Sequence, residues 1–90
     1  MSKAAVDPAE LRRFAQDLGR FNADLEGLVQ SLKSKMGGLE ATWRDQEQRK
    51  FVEAFEQTMR TISLFIPASQ DHVKFLAKKA AAIEEYLKIR

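Results

Sequence analysis

Apolar residues fall at Leu11, Phe14, Leu18, Phe21, Leu25, Leu28 and Leu32, in steps that alternate between three and four. This heptad spacing lays one apolar stripe along a long helix. Arg12, Arg13, Asp17, Arg20, Asp24 and Glu26 lie between them as a solvated face. A stripe that narrow predicts packing against one neighbour or one seam. A second run keeps the same steps through Phe51, Phe55, Met59, Ile62, Ile66, Ser69, Val73, Leu76, Ala80, Ile83 and Leu87. Thr58, Phe65, Ala68, His72, Phe75, Ala82 and Tyr86 flank it and widen its apolar face. The second helix is therefore expected to meet two neighbours.

The segment Val6-Asp7-Pro8-Ala9-Glu10 is a dense helix-start signal. Asp7 reads as the N-cap, Pro8 as the first helical residue and Glu10 as the acid of a capping box. Val6 and Leu11 have the spacing of a hydrophobic staple. Between the two periodic runs lies Leu39 to Phe55, which holds the only tryptophan, Trp43. Asp45 followed by Gln48 reads as a second N-cap with its capping-box partner. Its carboxylate would accept N–H groups that a new helix leaves unpaired, at the positive end of the helix dipole. The chain is expected to reverse here, with Trp43 as the apolar plug of the bend.

Two places test that reading. Gly37-Gly38 is the usual helix stop, yet Met36, Leu39 and Trp43 carry the three-and-four spacing past it. The first helix is expected over about 8–41, with a short turn at Thr42–Asp45. Pro67 normally ends a helix, but the periodicity crosses it in register and the proline lies off the main stripe. One helix over about 46–88, kinked at Pro67, is the expectation; Ser69 is the new cap if the helix breaks. Arg49 with Glu53, Glu56 with Arg60 and Glu84 with Lys88 stand four apart, where ion pairs support an outer helix face.

The fold class that follows is all-α, an antiparallel two-helix hairpin forming one domain over residues 1–90. Helices of these lengths measure ~50 and ~65 Å at ~1.5 Å per residue. Such a rod has no interior, and its broad apolar stripe would face water, which soluble monomers rarely tolerate. Pairing two hairpins into a four-helix bundle covers it. A homodimer is the simplest closed solution, and a heterodimer with a related hairpin is the rival. Phe14, Leu18, Phe21, Leu25, Leu28, Phe51, Phe55, Met59, Ile62, Phe65, Ile66, Val73, Leu76 and Ile83 are the expected hairpin and dimer interface residues.

Composition narrows the function more than it defines it. The chain has 90 residues, 44% of them hydrophobic, so it is not composed like a disordered protein. It contains no cysteine, which excludes disulfides and thiolate metal sites. Its opening residues lack the apolar core of a cleavable signal peptide, and no run approaches the ~18 apolar residues of a membrane span. The net charge is +2, with both signs interspersed and no basic stripe, so nucleic acid is not an expected partner. Lys74, Lys78 and Lys79 read better as a solvated face than as a phosphate site.

Nothing in the chain assembles into catalytic chemistry. His72 is the only histidine, and Glu84 or Glu85 would lie about three turns away on the same helix. A metal site wants three or more convergent ligands, so His72 reads as a surface or interface residue. Glu84 and Glu85 are adjacent and point in different directions. Glycine-rich phosphate loops, nucleophile elbows and paired histidines are missing. The phenylalanines at helical spacing read as core and interface rather than a ligand pocket. No cofactor, metal or enzymatic activity is expected.

The length, the Asp-Pro-x-Glu-Leu opening, the central Trp43 and the heptads on both sides resemble the Trp-x-Gly (WXG) family. These proteins are about a hundred residues long and related to the early secreted antigenic target. The resemblance spans nearly the whole chain and implies a hairpin that dimerises into an antiparallel four-helix bundle. It also implies a substrate or component of a type VII-like secretion system, exported folded without a cleaved signal peptide. Trp43 and Asp45 would carry the motif, building the bend and a docking groove between helix ends rather than performing chemistry. Two departures stand out. Trp43-Arg44-Asp45 has aspartate at the family's glycine, and Tyr86 is followed four residues later by Arg90 where the family's export signal often has an acid. A cytoplasmic adaptor or assembly factor on the same bundle is the alternative.

Overall fold

A computed structural model of the chain describes residues 6–89. Met1–Ala5 and Arg90, the position four after Tyr86, lie outside the described residues. Two helices account for nearly all of the rest, α1 over Pro8–Leu39 and α2 over Gln46–Ile89. They run antiparallel as a hairpin rod of 68 × 20 × 17 Å.

α1 starts where Asp7 adopts an extended backbone and its Oδ1 accepts the Ala9 N–H at 2.9 Å. Pro8 occupies the first turn, where a missing N–H costs nothing. The Glu10 N–H goes to the Asp7 carbonyl at 3.0 Å. Glu10 makes no reciprocal side-chain bond and its N–H goes to the Asp7 carbonyl rather than the carboxylate, so Asp7 caps the helix without the expected capping box.

The far end of α1 corrects the expected boundary. The helix passes through Gly37 and Gly38 but ends at Leu39, not near Ala41. Turn hydrogen bonds replace its last residues, with the Thr42 and Trp43 N–H groups both donating to the Leu39 carbonyl at 3.1 Å. α2 begins at Gln46, after Asp45 accepts the Gln48 N–H at 2.9 Å. It continues unbroken through Pro67, so Ser69 caps nothing. The proline faces outward, where the ring meets solvent.

The seam differs from the stripe that the periodicity picks out on α1. The residues of α1 buried against α2 are Ala15, Asn22 and Val29, a strict heptad of small or modest side chains. α2 meets them with Met59, Ile66, Ser69 and Ala80, and Ala80 is fully enclosed. Small residues let the two backbones approach, so the larger side chains are displaced to one flank. Leu18 and Leu25 are half-buried at that flank, and Phe14, Phe21 and Leu28 stand 58%, 51% and 66% exposed.

The expected ion pairs within α2 do not form. Glu84 instead bonds Arg12 across the hairpin, and the remaining pairs among the described residues are Asp17–Arg20 at 2.9 Å and Glu47–Lys50 at 3.9 Å.

Candidate interaction surface

The bend is built from the end of α1 and the first turns of α2. Trp43 is half-buried, its ring 5.8 Å from that of Phe51 at an interplanar angle of 34°. Phe51 stacks in turn on Phe55 at 5.9 Å, so three aromatic rings run down one side of the tip. Gln48 is buried beneath the turn, and its amide donates to the Glu40 carboxylate at 3.4 Å instead of reaching back to Asp45. Asp45 itself is exposed and serves as the cap.

On one flank of the rod the helices leave shallow grooves. The largest, about 480 Å³ near the tip, has Met36, Gly37, Val52, Phe55 and Met59 along it, and Lys33, Glu40, Glu56 and Arg60 around it. Gln16, Glu26, Gln30 and Gln70 line the other grooves beside Ala15, Val29, Val73 and Ala77. Both charge signs occur side by side, so the flank is a solvated surface.

The opposite flank is apolar. Phe14, Phe21, Leu28 and Leu32 of α1 and Phe51 and Phe65 of α2 are exposed there, and Leu64, Phe75, Tyr86 and Leu87 are exposed elsewhere along α2. Phe21 and Phe65 meet edge to face at 6.1 Å across the seam, which joins the two helices' contributions into one surface. Ile62, Leu76 and Ile83 are half-buried on α2, as is Val73, which lines the grooves of the other flank, and Met59 and Ile66 are buried. His72 is exposed on α2 in the same stretch as Phe65 and Phe75.

The open end of the hairpin is closed by charge. Arg12 donates two hydrogen bonds, through Nε at 2.8 Å and Nη2 at 2.7 Å, to the two oxygens of Glu84. This fork-to-fork geometry is the strong form of an ion pair. The hydrogen bond from Arg12 holds the Glu84 carboxyl below the usual carboxylate range, and the same bond raises the Arg12 guanidinium. Sequence reasoning missed this latch because its partners are 72 residues apart. It also missed the Ala15-Asn22-Val29 seam, although a small-residue heptad one place after Phe14, Phe21 and Leu28 was there to read.

Among the described residues no helix is long and apolar enough to cross a membrane. No group of histidine, aspartate and glutamate among them could hold a metal ion.

In sequence, no curated protein matches the chain. Solved structures that are similar include the secreted protein EsxB of Bacillus anthracis strain Sterne. The wild-type crystal structure is 23% identical with a TM-score of 0.78, covering 91% of this chain and 88% of that one. A selenomethionine-labelled form is 22% identical with a TM-score of 0.80, covering 96% and 98%. At that identity the likeness speaks for the hairpin fold. The family of proteins of 100 residues with WXG (WXG100) matches residues 3–86, nearly the full chain. Despite aspartate at the motif's glycine, the chain belongs to the WXG100 family.

Proposed function

We propose that the protein works as a dimer, two hairpins pairing through their apolar flanks into a four-helix bundle. We propose further that this bundle is a non-enzymatic substrate or component of a type VII-like secretion system. The observation that carries the first half is the area left uncovered. A compact chain of 10.3 kDa exposes about 5,400 Å², whereas this one exposes 6984 Å². The excess, about 1,600 Å² per chain, is twice what each partner gives to a standard interface and fits an obligate dimer. The exposed apolar flank is rich in phenylalanine and leucine, the composition of an interface core. A second copy is the simplest closed partner.

Membership of the WXG100 family and the fold shared with secreted EsxB support the second half. In this reading Trp43 and Asp45 shape the end of the bundle that the secretion machinery would meet, and the chain forms a single functional domain. The test is a fractionation of the host. Export predicts the protein in culture supernatant while a cytoplasmic marker stays in the cells. Retention with the cells would favour the rival reading, a cytoplasmic adaptor on the same bundle. Arg90 in place of the acid four residues after Tyr86 is the observation that favours that rival.

A further inference from the structure

We infer that the hairpin has a built-in opening point at its middle, between two locked ends. Four observations fall at one level of the rod. Asn22 is 3% exposed and Ser69 1% exposed, and both the Asn22 amide atoms and the Ser69 hydroxyl lack a hydrogen-bond partner. They are the buried side-chain polar atoms without a partner among the described residues. Asn22 shares a groove wall with Gln70 and Val73, which places it against the turn of α2 that carries Ser69. Two residues before Ser69, Pro67 has no N–H to give the Ser63 carbonyl.

The fourth observation is on α1. Gly19 and Gly27 bracket Asn22 inside the helix, and a Cβ at either would meet nothing within 4 Å. Neither glycine is required by close packing in the hairpin, and each lowers helix propensity. Each helix thus carries a weak point at this level, and α1 has a second one at Gly37-Gly38 near the tip. Opening at the level of Asn22 returns the amide and the hydroxyl to water, so the usual penalty for exposing buried groups is partly offset. At this level the helices are bridged on the apolar flank by the Phe21–Phe65 edge contact alone among the aromatic pairs, and the ends are held by other groups. The Arg12–Glu84 fork ties one and the Trp43-Phe51-Phe55 stack fills the other.

Hydrogen exchange of the full-length protein, read by mass spectrometry on overlapping peptides, tests this. Amides over 20–28 and 64–71 should exchange about tenfold or more faster than those one to two turns away on the same helices. The double variant Asn22→Val/Ser69→Ala should slow that middle stretch by a similar factor. Pro67→Ala, which restores the missing donor, should slow 64–71 even if the double variant fails to fold. Protection in the middle that equals or exceeds the flanks overturns the inference. So does a fast middle that neither variant changes.

Discussion

The two surfaces of α1 are built to opposite rules. The seam toward α2 uses Ala15, Asn22 and Val29, while the flank one residue away carries Phe14, Phe21 and Leu28. Were the hairpin the final structure, the large side chains would belong in the seam, where each would gain roughly 1.5–3 kcal/mol by burial. They are displaced because the small seam brings the helices close enough to aim both sets of rings outward on one side. The intramolecular contact leaves the large apolar side chains exposed, and in the proposed dimer they form the contact between copies.

Breaking the outer contact should have the largest effect. Phe21→Asp removes a ring from each of two copies, at roughly 1.5–3 kcal/mol apiece, and adds a charge to the centre of the face. Sedimentation equilibrium should show the dimer dissociation constant raised by about a hundredfold or more. Crowding the inner contact should act differently. Ala80→Leu inserts bulk where nothing is exposed, and overpacking of this kind costs about 1–3 kcal/mol. Urea melts should shift by that amount, while native mass at low denaturant stays that of the wild type.

A change at the tip reaches the outer surface only through Phe51. Trp43→Ala loses the contact with Phe51, and because the ring is only half-buried the loss should be about 1–2 kcal/mol. Helical content by circular dichroism should stay near that of the wild type. The smallest effect is expected at the open end. Glu84 is held below its ordinary value by Arg12, so its contribution is complete above that value and disappears as pH falls through the depressed one. Thermal melts from about pH 5 down to 3 should show a modest loss in the wild type. Glu84→Gln should show a smaller one over the same range.

Much of the fold was legible because it rests on local chemistry. Asp7-Pro8 and Asp45 act through neighbours two or three residues away, and Trp43 marked the reversal. The continuity of α2 through Pro67 followed from register alone. What the sequence hid involves choices between partners. Glu84 had Lys88 one turn away and took Arg12 instead, since a guanidinium offers two aligned donors. Gln48 turned to Glu40 once the bend had brought that carboxylate near. The heptad on α1 announced an apolar stripe without saying whether it faced α2 or a second molecule. Large side chains dominate any reading of periodicity, and Ala15 and Asn22 make the seam by being small or polar.

The central claim is that the apolar flank is covered by a second copy of the chain. Light scattering on a sizing column measures it most directly, with a circular dichroism spectrum of the same peak. The account predicts a strongly helical particle of twice 10.3 kDa. A well-folded helical monomer would contradict it, because the exposed flank would then be stable in water without a partner.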